Sequence, residues 1–418
     1  MLGGIKKIFL FIGIVLSSIS FADGIDDKLK EYIRVFRYEP VKRITPPNVE
    51  LFHLGRKLFH DKILSLNGDN ACSSCHQGNH GGSEPLPLSL GNGASGIGQT
   101  RYQERGHLLP RRSPSLIGRS QFHFRVFWDG RVMFHPRALH FVTPIEELNG
   151  DEPEYFHIVD ALKERVVAAQ ALFPLLDPKE MGGPESEGMK PLEVWNRVTN
   201  NVLQNEIYQA SLKNLFPGEE INIGHIAYSL SEFIRIRFQV PRTTFDEYLE
   251  GDTTALSASE KRGFLLYNEK ARCNRCHFGP GLTNQTMQNV LVPPVGPGIT
   301  PTGQDFGQWH ATKNENHKYR FLTPTLRGIS THPPFFHNGT AIDLKEVIDH
   351  YNNPFHRLNN FDGRPFTEEF ERFYAENIDI NKNPYHLFAI RQSASPIIQK
   401  LNLSTSEQQD LVNFLNTL

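Results

Sequence analysis

The sequence predicts a mainly α-helical protein of two related domains joined by a short linker. Three observations predict it. A Cys-x-x-Cys-His motif occurs at 72–76 and again at 273–277. The segments flanking it recur in the same order around both copies. Between them, apolar residues return at helical spacing. The chain has 418 residues, a formal net charge of −2 and 39% hydrophobic residues. At roughly 150 residues per domain, that length allows two or three domains. The composition excludes wholesale disorder, and the near-neutral charge argues against a nucleic-acid partner. Four cysteines are too few for a disulfide scaffold.

The chain opens with Lys6 and Lys7, an apolar run from Ile8 to Leu16, and small residues at Ser20 and Ala22. This reads as a secretory signal peptide, residues 1–22, cut after Ala22. The apolar run falls short of the roughly 20 residues that span a bilayer. The expected mature protein is therefore exported to the periplasm, with no membrane span.

Cys72, Cys75 and His76 form one motif, and Cys273, Cys276 and His277 form the other, leaving no cysteine over. CxxCH is the attachment signature of c-type haem. Two thiols on one short turn hold the porphyrin edge, and the adjacent His reaches the iron. Two CxxC pairs could also build a zinc site, but these lie far apart and each carries the extra His. Two covalent c-type haems are expected, hence two c-type cytochrome-like haem domains.

The repeat extends beyond the motif. LGRKLFHDK (54–62) precedes the first copy and KRGFLLYNEK (261–270) the second; PSLIG (114–118) and FWDG (127–130) follow the first, PTLRG (324–328) and FHNG (336–339) the second. The expected domains are 23–240 and 241–418, with 240–256 as linker. Ile158, Val159, Leu162, Val166 and Val167 predict one helix from Tyr155 to Phe173, ended by Pro174. Ser257 with Glu260 and Ser404 with Glu407 read as capping boxes. Leu411, Leu415 and Leu418 mark a terminal helix. Gly and Pro at 78–100 and 291–303 predict long loops.

GRKLFHDKILS, RRSPSL, FWDGR, AAQALFPLLDPKEM, FDEYLEGDTTALSASEKRGFLLY and FLTPTLRG…PPFFHNG, with both CxxCH motifs, resemble the bacterial di-haem cytochrome c peroxidases, including the MauG type. The resemblance runs from about residue 50 to 355. It implies an N-terminal peroxidatic haem and a C-terminal electron-transfer haem. Gln170, Pro174 and Glu180 match the distal-pocket residues, and Trp128 matches a Trp between the haems that carries electrons. O–O cleavage needs a group that takes the peroxide proton and returns it, and Glu180 is the candidate, with Gln170 beside it. Asn92 stands where the peroxidases carry a His that can block the first iron. An amide is a poor iron ligand, so that haem is expected to be open; His80 or His107 could substitute. The family's Met ligand position on the second haem falls on Tyr351, the residue MauG-type proteins carry, with His350 as alternative. The single later methionine, Met287, lies too close to His277 to reach the other haem face. An oxygen ligand lowers the haem potential where Met raises it. The family also holds calcium between its halves. Here Ser113 stands at the ligand position, with carbonyls at His332 and Pro334, which makes calcium a doubtful cofactor.

The resemblance implies an exported peroxidase that uses hydrogen peroxide, with electrons from a small c-type cytochrome or copper protein. The alternatives are a MauG-like enzyme that oxidises residues of a partner protein, and a non-enzymatic di-haem electron carrier.

Overall fold

The structure is a computed structural model that describes residues 24–45, 48–103, 106–149, 152–363 and 383–418. The expected signal peptide 1–22 lies outside the described residues. The fold is mainly helical, as the spacing predicts. No helix among the described residues is long and apolar enough to cross a membrane.

Two helix pairs frame the two motifs. Helix Val49–His60, capped by the Asn48 side chain, buries Leu51, Leu54, Leu58 and Phe59 and crosses helix Ile223–Arg237. Helix Ala258–Asn268 buries Phe264 and Tyr267 against the terminal helix Thr405–Leu415. Each crossing has a glycine at its closest approach. A Cβ on Gly55 would meet the Ser229 carbonyl oxygen at 2.0 Å, and one on Gly263 would meet that of Asp410 at 2.0 Å. Gly55→Ala and Gly263→Ala are each expected to cost about 1–3 kcal/mol, because the partner helix must retreat; denaturant unfolding measures it. Both capping boxes form, at Ser257/Glu260 and Ser404/Glu407.

Each helix pair anchors its own core. The first spans Leu51 to Phe238, with Trp195 fully buried. The second spans Phe245 to Leu418, and Leu29 and Tyr38 join it from the other end of the chain. The segment holding them is tied down by polar contacts. Asp26 accepts from Lys261 at 2.8 Å and from the Tyr248 hydroxyl at 2.7 Å, and Tyr38 donates to Asn268 at 2.8 Å. The start of the described chain thus packs with the second core, although its sequence adjoins the first.

Two expectations need correction. The helix expected over Tyr155–Phe173 is two helices, Pro153–Ala161 and Val166–Ala171. Lys163 and Glu164 adopt left-handed backbone, φ 48° and 58°, which ends any right-handed helix. The turn lets Ile158, Leu162 and Val167 all reach the first core. The stretch 240–256 is no loose tether. Thr244–Leu249 is a helix, and Phe245, Asp246 and Tyr248 are buried in the second half.

The repeat survives in the backbone. Gly118 and Gly328 (φ 65° and 70°), Phe127 and Phe336 (66° and 67°), and Gly130 and Gly339 (67° and 68°) are left-handed at matching motif positions. A left-handed non-glycine residue is uncommon, so the Phe pair marks the same turn built twice. Trp128 and His337 follow these two Phe residues, and their rings meet edge-on with centroids 6.5 Å apart. Strands Arg125–Val126, Val132–His135 and His140–Val142 form an antiparallel sheet that no spacing predicted, and the turn between the first two carries Trp128.

Candidate active site

Two cavities each contain one motif. The first, ≈620 Å³, is lined by Cys72, Cys75 and His76 together with Gln170, Pro174 and Glu180. The second, ≈210 Å³, is lined by Cys273, Cys276, His277 and Tyr351. A four-cysteine zinc site is therefore excluded, since the two pairs face different cavities. No disulfide joins any of the four cysteines. Trp128 and Arg112 line both cavities.

The two His side chains are oriented alike. His76 Nδ1 is 2.7 Å from the Gly82 carbonyl oxygen, and His277 Nδ1 is 2.9 Å from that of Leu282. Each bond fixes the ring and leaves Nε2 as the nitrogen that could hold a metal. The first bond needs a left-handed glycine loop: Gly82 has φ +69°, and a Cβ there would meet Leu116 and Phe238 at 2.8 Å. Burial lowers both imidazoles to about 4, so both rings are neutral near pH 7.

In the lining of the first cavity, Gln170 is buried in helix Val166–Ala171, and its Oε1 has no hydrogen-bond partner. Such an atom calls for a donor from a ligand or water. The Glu180 carboxyl is raised to about 7, by burial first and by Asp177 second; Arg131 and Arg111 pull it down. A carboxyl poised near neutrality both accepts and returns a proton.

Trp128 donates from Nε1 to the Arg112 carbonyl at 2.9 Å. Arg112 in turn donates to the His332 carbonyl at 3.3 Å and to Ser83 and Glu84 at 2.9 and 3.1 Å. It therefore ties the two halves together between the cavities.

These features match a known set of proteins. A profile described as di-haem cytochrome c peroxidase matches residues 49–254. Residues 49–254 belong to the di-haem cytochrome c peroxidase family. Relatives match over longer spans. Cytochrome c551 peroxidase of Nitrosomonas europaea is 28% identical over 311 residues, 74% of this chain and 75% of that protein. The methylamine utilization protein MauG of Methylophilus methylotrophus is 26% identical over 383 residues, 91% of this chain and 85% of that one. The fold is shared with a crystal structure of a MauG-like protein associated with microbial copper homeostasis, with TM-score 0.61, 24% identity, and coverage of 91% of this chain and 93% of that one.

The cavities suit the haems this family name implies. Both offer two thiols and an oriented His at one wall, and the first adds the orphaned Gln170 oxygen. In the second, Tyr351 lines the cavity, whereas His350 does not. His350 is fully buried, and its Nε2 lies 2.8 Å from the Val290 carbonyl oxygen. Met287 is likewise absent from that lining.

The Asn92 side chain is occupied elsewhere. It accepts from Asn67 and donates to the Pro178 carbonyl at 3.3 Å, and it is not part of the first cavity wall. His107 lines that cavity and His80 does not, since its Nε2 lies 2.5 Å from the Pro333 carbonyl oxygen. At the doubtful calcium position, Ser113 Oγ donates to the Cys75 carbonyl at 2.9 Å, and the His332 carbonyl already accepts from Arg112. That guanidinium is the cation bound to the His332 carbonyl.

Sequence reasoning missed the charges around the first cavity. Arg111 donates to Asp129 at 2.8 Å and to both Asp305 oxygens at 2.6 and 2.8 Å, and Arg131 also reaches Asp129 at 3.2 Å. Arg111, Arg112, Asp129 and Arg131 stand inside RRSPSL and FWDGR, blocks whose similarity was noted without a role for these residues. Asp305 lies beyond any motif.

Proposed function

We propose that the chain is an exported di-haem peroxidase, with the peroxidatic half within 23–240 and the electron-transfer half in 241–418, which the segment holding Leu29 and Tyr38 joins. The observation that carries it is the meeting of His76, Gln170 and Glu180 in one cavity, with Trp128 lining that cavity and the next. When bound through Cys72/Cys75 and Cys273/Cys276, the haems supply the redox chemistry, namely an open iron for peroxide at the first site and electron storage at the second. The overall balance is H2O2 with two electrons and two protons giving two waters.

Glu180, as carboxylate, takes the first proton from peroxide and returns it to the departing oxygen. The free Gln170 Oε1 accepts a hydrogen bond from the bound peroxide and holds it toward Glu180. Trp128 bridges the cavities as the electron route. Tyr351, in the lining of the second cavity, would ligate the second haem together with His277; His350 lies outside that lining and its Nε2 is held by the Val290 carbonyl. Tyr351→Phe should therefore change the ligand-field spectrum of one haem only, while His350→Ala should leave it unchanged. The reverse pattern would assign the ligand to His350.

Electrons come from a small periplasmic c-type cytochrome or copper protein. Tyr351 in the second cavity favours a second reading, oxidation of residues in a partner protein, as the MauG type implies. Stopped-flow mixing with hydrogen peroxide, with and without a reduced donor cytochrome, tests both. Rapid reaction followed by cytochrome oxidation supports the peroxidase. Rapid reaction that the cytochrome does not discharge favours the protein-oxidising reading. A protein inert to peroxide is a carrier only.

A further inference from the structure

The loop 291–307 belongs to the second half, yet it helps build the first cavity. Gly298 and Ile299 stand in that cavity's wall. A few residues on, Asp305 grips Arg111 through both carboxylate oxygens, at 2.6 and 2.8 Å. The pair is nearly buried, with side-chain exposures of 9% and 12%. Arg111 itself lines the first cavity and shares Asp129 with Arg131.

We propose that Asp305 is a positioning residue for Glu180: from the second half, it holds and neutralises the Arg111 guanidinium, which lines the first cavity together with Glu180. The proposal deepens the peroxidase reading and rests on Glu180 having the role given above.

Four charged groups act on Glu180. Asp177, on its own turn, and Asp129, behind the arginines, disfavour the carboxylate, and Arg131 and Arg111 in the cavity lining favour it. Lys179, Glu187, His107 and Arg112 are the other charged or titratable groups of the lining apart from the motif residues. Burial lowers the Arg111 pKa, but Asp305 and then Asp129 outweigh it and raise it, so the guanidinium is firmly charged. Arg111 likewise keeps Asp305 ionised, at about 2, against its own burial. Counting Arg111, Asp305, Asp129 and Arg131 as ionised, two positive and two negative charges meet beside the cavity. Removing Asp305's charge leaves a net positive charge there, which stabilises the Glu180 carboxylate.

The test is a pH titration of Glu180 in the haem-loaded protein, read as the infrared band of a protonated carboxyl that Glu180→Gln removes. The pH dependence of the reaction with hydrogen peroxide is the second readout. Asp305→Asn keeps the shape and loses the charge. Its Glu180 midpoint is expected to fall by roughly half a pH unit or more, and the rise of the peroxide rate should move with it. Asp305→Ser, smaller than the native side chain, reads the same charge change if the amide disturbs folding. Asp252→Asn, an exposed carboxylate of the second half, should leave the midpoint in place. A midpoint that neither Asp305 variant moves overturns this inference and leaves the peroxidase reading standing. A wild-type protein with no band or rate step attributable to Glu180 overturns both.

Discussion

Glu180→Gln is expected to slow the reaction with hydrogen peroxide by roughly 10²–10⁴, the usual size of an acid–base contribution. The amide keeps the shape of the side chain and cannot take the proton. The pH profile carries the sign. Burial and Asp177 raise the carboxyl to about 7, and the carboxylate is the form that accepts the peroxide proton. The wild-type rate should therefore rise with pH through about 7 and level off above it. In Glu180→Gln that rise should vanish and leave a slow rate with no step there. Stopped-flow rate constants across this range measure both effects, and an unchanged rate would remove Glu180 from the mechanism.

The second large effect is structural. Asp246→Ala is expected to destabilise the protein by about 3–5 kcal/mol, the cost of stranding a buried charge. Asp246 and Arg327 are 1% and 0% exposed, with Nη1 to Oδ1 at 2.9 Å. The same guanidinium donates to the Glu39 carbonyl at 2.8 Å and to Pro280 at 3.0 Å, and Asp246 accepts from the Val41 amide at 2.9 Å. One ion pair thus joins the start of the described chain, the helix after the first half and the PTLRG turn. Thermal unfolding of Asp246→Ala, Arg327→Met and the double variant gives the coupling between them. The double variant should cost less than the sum of the singles, because it leaves no buried charge unpaired. Additive costs would contradict a direct pair.

How much of this was legible follows from what each feature leaves in a sequence. CxxCH is a contiguous chemical unit, so both sites could be read directly, and the repeated turns returned as repeated left-handed residues at 118/328, 127/336 and 130/339. Capping boxes are local, and those at Ser257 and Ser404 started the helices Ala258–Asn268 and Thr405–Leu415 as expected. Helix spacing failed between Tyr155 and Phe173 because the apolar period continues through Lys163 and Glu164, where the backbone does not. The packing of Leu29 and Tyr38 into the second core was invisible, since their partners at 245–268 are remote in sequence and no motif links them. Asp305 was missed for the same reason: a single carboxylate in a Gly- and Pro-rich loop has no pattern until the fold brings it to Arg111. Tyr351 and His350 could not be separated by position alone. Only the fold turns one into the cavity and ties the other to Val290.

In the proposed function the first cavity would hold an open haem, and the second a haem held by both His277 and Tyr351. Electron paramagnetic resonance of the ferric protein as isolated tests this most directly. One high-spin haem at the His76 site, beside one low-spin haem, is the expected result. A spectrum with only low-spin haem, with His107 or another side chain closing the first site, would contradict it.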